Sequence, residues 1–249
     1  MGRFQDKVVI ITGSSNGIGQ AALLDFAKEG ANVVIHGLNP NRIKETEELL
    51  KKAGVSADRY LIVNGPIQDE ATLQKLINEP LKKWGKIDVL VNNAGLGFKT
   101  GHDLYSIENY DFVFAVNVRA RLRLIELAIP HLKKTKGNTV GVSSTGAFRK
   151  PINHDLHTFY STASAAFDHY MRNDTERLAS LESASTTNDA EKNAGLSVYE
   201  KLSRNAVIPG GAEPWEISRV ILFLADEKSK SITGASYYID RGLSTFAPQ

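Results

Sequence analysis

Residues 12–19 read Thr12-Gly13-Ser14-Ser15-Asn16-Gly17-Ile18-Gly19, directly after the apolar run Val8-Val9-Ile10-Ile11 and directly before an amphipathic stretch that begins at Gln20. The chemistry such a turn supports is the holding of a nucleotide's phosphates. A buried strand delivers the chain into a tight turn, and the glycines let the backbone approach a pyrophosphate. The helix that follows then points its free N–H groups and positive dipole end at the phosphates. The spacing Gly-x-x-x-Gly-x-Gly is more restrictive than a bare Gly-x-Gly-x-x-Gly, which arises often by chance. Two other polar groupings carry less. His154-Asp155-Leu156-His157 offers two imidazoles but no third ligand, so it reads as a polar loop and no metal is expected. Asn173-Asp174-Thr175 fits a glycosylation sequon, but it falls in an expected helix of a chain with no secretory signal.

The elements that must position this turn alternate along the chain. Apolar, β-rich runs at 7–11, 31–36, 59–63, 87–92, 138–143 and 236–239 are separated by longer stretches of helical spacing, such as Ala21/Leu24/Phe26 and Leu73/Leu76/Ile77/Leu81. Strands that are apolar on both faces imply a parallel sheet covered by helices. Right-handed crossovers then give a doubly wound α/β sheet, with ligands at the carboxyl ends of its strands near the switch point. The stretch 179–196 is polar, small and weakly periodic, and reads as a loop or a frayed helix end. Trp84 and Trp215 stand beside helix ends and read as packing residues.

Composition narrows the classes. The 249 residues suit one domain, 1–249, with a substantial core. Thirty Lys and Arg against 28 Asp and Glu leave no electrostatic footprint for nucleic acid or an anionic membrane. Without cysteine there is neither a disulfide framework nor thiolate chemistry. No apolar run approaches the ~18 residues of a membrane span, and the N-terminus enters the first strand with no signal-like segment. A cytoplasmic location is expected.

Further motifs stand in a fixed order: Asn92-Asn93-Ala94-Gly95 after the fourth strand, Val142-Ser143-Ser144 at the end of the fifth, Tyr160 opening the next helix, and Ile232-Thr233-Gly234 before the last strand. Together they resemble the short-chain dehydrogenase/reductase family, from residue 5 to about 178 and again from about 212 to 242. The resemblance implies a Rossmann-type sheet that binds NAD(H) or NADP(H), and hydride transfer between nicotinamide C4 and a small carbonyl or alcohol. Homodimers or homotetramers are common in the family. Carried over by position, the cofactor contacts fall on Gly13, Ser15, Asn16, Gly17, Ile18 and Gly19 of the turn, on Asn39 after the second strand, on Asn93, Ala94 and Gly95, and on Tyr160. Asn117 falls where the family has an asparagine that kinks the fourth helix and holds a proton-relay water. Ser144 would hydrogen-bond the reacting oxygen. Tyr160 would be the general acid and base, giving its phenolic proton to the forming alkoxide.

Departures from the family pattern bear on how far the function carries. The family's tyrosine is followed three residues later by a lysine, whereas Tyr160-Ser161-Thr162-Ala163 leads to Ser164. That cation binds the nicotinamide ribose and favours the phenolate; an unassisted phenol titrates near ~10. Weak activity or none is the expectation, with oxidation suffering more than reduction. Ser144 and Tyr160 are also farther apart than usual, so the insert 149–157 must bulge at the site's rim. Residues 179–212 are too few for both the family's sixth strand and its substrate-covering segment. Two registers fit. In one, Asn205-Ala206-Val207-Ile208-Pro209-Gly210 is the sixth strand and the lid is nearly absent. In the other, Tyr199–Arg204 belongs to the lid, the strand is deleted, and Glu213-Pro214-Trp215-Glu216-Ile217 starts a helix; this second register is favoured.

Cofactor choice rests on the end of the second strand, His36-Gly37-Leu38-Asn39, which carries neither the acid that would accept ribose hydroxyls nor an arginine for a phosphate. Arg42 could reach a phosphate, and NADP(H) is favoured over NAD(H). Pro66 takes the approximate place of an adenine-contacting aspartate. The sequence therefore supports an oxidoreductase of reduced activity, with a nucleotide-binding or interaction protein that has lost hydride transfer as the alternative.

Overall fold

Val8–Ile11 (β1) is apolar at every position, as a strand covered on both faces requires, and all four of its side chains are buried. Asn32–Gly37 (β2) and Val89–Asn92 (β4) bury nearly every residue in the same way. The computed structural model describes residues 2–148, 154–173 and 212–229, with the single positions 232, 237 and 239. Among these, Tyr60–Asn64 (β3) and Asn138–Gly141 (β5) complete a five-stranded sheet of order β3-β2-β1-β4-β5, parallel throughout. The order reverses between β1 and β4, so a crevice opens at their carboxyl ends.

Seven helices are described: Gly17–Lys28 (α1), Pro40–Lys52 (α2), Glu70–Trp84 (α3), Ile107–Phe114 (α4), Ala120–Thr135 (α5), His154–Asn173 (α6) and Pro214–Ala225 (α7). Alternate strand residues feed two cores. Val9, Ile11, Val33, Ile35 and Val91 meet Leu23 and Phe26 of α1 and Ile217 and Ile221 of α7. Ile10, Val34, Val63 and Leu90 meet Leu73 and Leu76 of α3, Leu124 and Ile125 of α5, and Phe167 of α6. Each fully buried aliphatic side chain contributes roughly 1.5–3 kcal/mol, so both layers of helix are held to the sheet by the strands' unbroken apolar runs. The doubly wound sheet expected from the sequence is thus found.

Local signals explain where the helices begin. Asn39 Oδ1 accepts from the amides of Asn41 and Arg42, and Pro40 takes the first helical position of α2. A capping box joins Glu213 and Glu216, with Pro214 opening α7 at the expected place. Between α4 and α5 the residues Ala115–Arg119 form a π turn, which supplies the kink expected at Asn117.

Three expectations are corrected. Tyr160 does not open its helix: α6 begins at His154, and the stretch 154–157, expected to be a polar loop, is helical. Trp215 is half exposed and stacks under Arg219, with 4.9 Å from guanidinium to ring centroid, so it is not a core residue. Trp84 does pack against the α3/α5 side, and its indole donates to Asp58 O. Both registers for 179–212, residues 149–153, Thr233-Gly234 and most of the last expected strand lie outside the described residues, although Ile239 packs against the α1/α7 side of the core.

Candidate active site

Thr12 follows β1 directly, and its side chain joins two loops. Its Oγ1 accepts from the amides of Asn93 at 3.0 Å and Ala94 at 2.9 Å. Asn93 Nδ2 donates in return to Thr12 O at 2.9 Å and Gly13 O at 3.1 Å. The glycine turn and the Asn-Asn-Ala-Gly loop are therefore one rigid unit. Glycine is required at two points in it. A methyl on Gly19 would come within 2.5 Å of both Asn93 Nδ2 and Gly13 O, and Gly13, at φ +65°, would bring one to 2.9 Å from Ala94 Cα. Gly17, at φ +56°, faces open space, and the N-cap Asn16 makes no side-chain bond to the first turn of α1. Those amides and the dipole behind them are therefore available to an anion. Ser15 is buried and lies against Gly37, and its carbonyl accepts from Thr46 Oγ1 and Gln20 Nε2. Asn39 is likewise engaged as a helix cap.

His36 holds the turn from below. The Gly13 amide donates to its Nδ1 at 2.9 Å, which places the ring proton on Nε2, 3.2 Å from Gly65 O. Burial pushes its pKa down to about 4, against a smaller opposing effect of the Gly65 bond. Ser14 Oγ completes the support, accepting from His36 N and donating to Val34 O.

The other candidate residues gather at the carboxyl ends of β4 and β5. Asn117, in the π turn, clasps Leu96: its Oδ1 accepts from Leu96 N at 2.9 Å and its Nδ2 donates to Leu96 O at 2.8 Å. Each end of the side chain makes one of the two hydrogen bonds open to it. Ser144 is buried and caps a 3-10 turn at Thr145–Ala147 by accepting from Gly146 N at 3.1 Å. A methyl on Gly146 would touch Ser161 Oγ at 2.7 Å and Ser144 Oγ at 3.3 Å, so the first half of α6 lies directly against Ser144. Tyr160, half-buried, precedes Ser161 on that helix. Ser164 sits one turn further on with its hydroxyl donating to Tyr160 O at 2.8 Å.

Sequence spacing does not single out Arg121, which the structure brings into this cluster. Of the three arginines at 119, 121 and 123, the outer two are exposed and Arg121 is only 6% exposed. The signal was its register: 117, 121, 124 and 128 recur on the buried stripe of one helical face. Its Nε and Nη2 donate to Ala94 O at 3.0 and 2.7 Å and its Nη1 to Val142 O at 2.8 Å. Among the described residues, no group of three or more His, Asp or Glu side chains could hold a metal ion, and no helix is long and apolar enough to cross a membrane.

Together, the glycine cradle at the switch point and the Asn, Ser and Tyr at the strand ends define the dinucleotide-binding class of doubly wound domain. Comparison with known proteins gives the family. Residues 13–244 match the family model described as Enoyl-(Acyl carrier protein) reductase. The chain is 30% identical over 250 residues to meso-2,3-butanediol dehydrogenase of Serratia marcescens, covering 96% of this chain and 95% of that one. It superposes with a TM-score of 0.86 on a short-chain dehydrogenase/reductase of unknown function from Caenorhabditis elegans, solved with cofactor, at 32% identity and covering 98% and 97% of the two chains. A 7α-hydroxysteroid dehydrogenase solved with NADH and 7-oxo glycochenodeoxycholic acid superposes at 0.82, with 25% identity and 96% and 95% coverage. The chain belongs to the short-chain dehydrogenase/reductase family.

Proposed function

We propose that this chain, acting as one domain over 1–249, is an NAD(P)(H)-dependent oxidoreductase that interconverts a small carbonyl and an alcohol. The observation that carries the reading is the union of the glycine turn with the Asn93–Gly95 loop, which sets an open anion cradle beside Ser144 and Tyr160. Gly13, Asn16, Gly17, Ile18 and Gly19 would hold the cofactor's phosphates through backbone, with Ser15 bracing the turn. Asn93, Ala94 and Gly95 would lie along the adenosine and its ribose, and Asn39 beside the second strand. When bound, the cofactor supplies or accepts a hydride. Ser144 orients the substrate oxygen by a hydrogen bond, and Tyr160 gives that oxygen a proton on reduction and takes one on oxidation. Asn117 acts on this site by fixing Leu96 and the loop after Gly95.

Several finer points belong to the same reading. NADP(H) is favoured, because the first turn of α2 exposes Arg42 and no acid stands among His36–Asn39. The molecule works as a homodimer or homotetramer in the cytoplasm, with a small-molecule substrate and no nucleic-acid or membrane partner. Ser164, where the family pattern has a lysine, removes a cation from α6 and lowers turnover unless another charge stands in for it. Calorimetric titration with NADPH and NADH, with circular dichroism as the check of folding, tests the reading. Both bind, NADPH the more tightly; folded protein that binds neither would overturn it.

One observation favours a second reading, a nucleotide-binding protein without turnover: the Ser164 hydroxyl is turned back on the main chain of Tyr160. Under that reading the native chain binds nucleotide but reduces no carbonyl.

A further inference from the structure

Tyr160, Ser164 and Phe167 stand at i, i+4 and i+7 and share one face of α6. Ser164 puts no charge there: its hydroxyl bonds the Tyr160 carbonyl and its own carbonyl accepts from Ser143 Oγ at 3.3 Å. A charge reaches that face from α5 instead. The guanidinium of Arg121 lies over the Phe167 ring, 4.7 Å from its centroid, and donates to Ala94 O and Val142 O at the ends of β4 and β5. Room for it depends on Gly95, where a methyl would come within 2.8 Å of Nη2.

The placement is costly and specific. Among the described residues Arg121 makes no ion pair, and burying a cation without a carboxylate carries a desolvation cost, offset here by charge-assisted bonds to carbonyls. A tie between β4 and β5 alone could be made by a neutral donor. Two opposing influences act on the guanidinium: burial pulls its pKa down to about 10, and the charge of Tyr160 raises it. It therefore stays charged at neutral pH.

We propose that Arg121 is the fixed cation of this active site, performing from α5 the task that a lysine one turn after Tyr160 would perform. The proposal rests on the reading of Tyr160 as the acid and base given above. When Tyr160 releases its phenolic proton to the substrate oxygen, the phenolate left behind lies in the field of the guanidinium, which favours that state; the reverse transfer returns the proton to the same oxygen. Other charged groups on the elements packed against α6 are placed differently. Glu108 and Asp111 of α4, Arg119 of the π turn and Arg123 of α5 are exposed, Tyr110 stacks on Phe159, the Thr145–Ala147 turn has no titratable group, and on α6 itself Asp168 pairs with Arg172. Arg121 and Asp168 are the buried charges among them, and of the two only Asp168 has an ion-pair partner among the described residues.

The test reads the phenol directly. With 13C-labelled tyrosine, the Cζ resonance of Tyr160 is assigned by its loss in Tyr160→Phe and titrated in the native protein, Arg121→Gln and Arg121→Lys. The Tyr160 midpoint rises by about one pH unit in Arg121→Gln and stays with the native value in Arg121→Lys. A midpoint that is the same in all three would make Arg121 a structural tie and overturn the proposal. Turnover separates this inference from the functional reading. Ser164→Lys raises the native rate little and restores much of what Arg121→Gln loses. A native protein that reduces no carbonyl, yet shows the midpoint shift, would sink the oxidoreductase reading and leave Arg121's role intact.

Discussion

The imidazole of His36 accepts the Gly13 amide proton at 2.9 Å, so the glycine turn rests on a buried, neutral histidine. The tautomer that makes this bond also donates to Gly65 O, which joins the loops after β1 and β3. Protonating Nδ1 would set an N–H against the Gly13 N–H and remove the support.

Stability should therefore depend on acid in a defined window. The ordinary histidine pKa of 6.5 applies to the unfolded chain and about 4 to the folded one. Between these values the unfolded state takes up a proton that the native state does not, so stability falls as pH falls. The loss begins below pH 6.5 and reaches roughly 3 kcal/mol by pH 4. Urea unfolding across that range should show it, with the slope reduced by one proton in His36→Asn.

Gly19→Ala places a methyl 2.5 Å from Gly13 O and from Asn93 Nδ2. Relief requires the turn and the Asn93 loop to separate. Nucleotide affinity should fall by at least about tenfold, with a loss of 1–3 kcal/mol in stability, as overpacking typically costs. Fluorescence titration with NADPH and a denaturant midpoint measure the two effects.

Asn117→Ala leaves the amide and carbonyl of Leu96 without their side-chain partner at a part-buried joint. A destabilisation of about 1–3 kcal/mol is expected, together with a raised KM. Asn117→Asp keeps the bond from Leu96 N but turns a second acceptor toward Leu96 O, so it should recover only part of the loss.

Ser144→Ala and Tyr160→Phe should separate binding from turnover. Neither removes a support of the glycine turn, so NADPH still binds both, near native affinity in Ser144→Ala and less tightly in Tyr160→Phe, which loses the hydroxyl contact to the cofactor. Carbonyl reduction falls about 10²-fold or more for Tyr160→Phe, the usual effect of removing a general acid. Ser144→Ala also frees Gly146 N, so its loss of turnover comes with a small drop in melting temperature.

How much of this was legible in the sequence follows from what each residue depends on. Val8-Val9-Ile10-Ile11 reads as a two-faced buried strand because nothing else tolerates four consecutive apolar β formers before a glycine turn. The cradle is legible for the same local reason. Asn39 and Ser15 illustrate the limit: spacing places both near the cradle, but that one also caps α2 and the other packs on Gly37 is seen only in the structure. Tyr160 was expected to open a helix that begins six residues earlier, since the polar start of α6 looks like loop composition. Arg121 was hidden most thoroughly. An arginine in a run of alternating arginines reads as solvated, and only the helical register against β4 and β5 turns it inward.

The most direct test of the account follows deuterium from NADPH labelled at nicotinamide C4 into a panel of small ketones and aldehydes, with the native protein and Tyr160→Phe side by side. The account expects deuterium at the carbinol carbon of at least one product with the native protein, and a rate lowered about 10²-fold or more in the variant. Native protein that is folded and binds NADPH, yet transfers no label, would contradict it, and so would equal transfer by the two proteins.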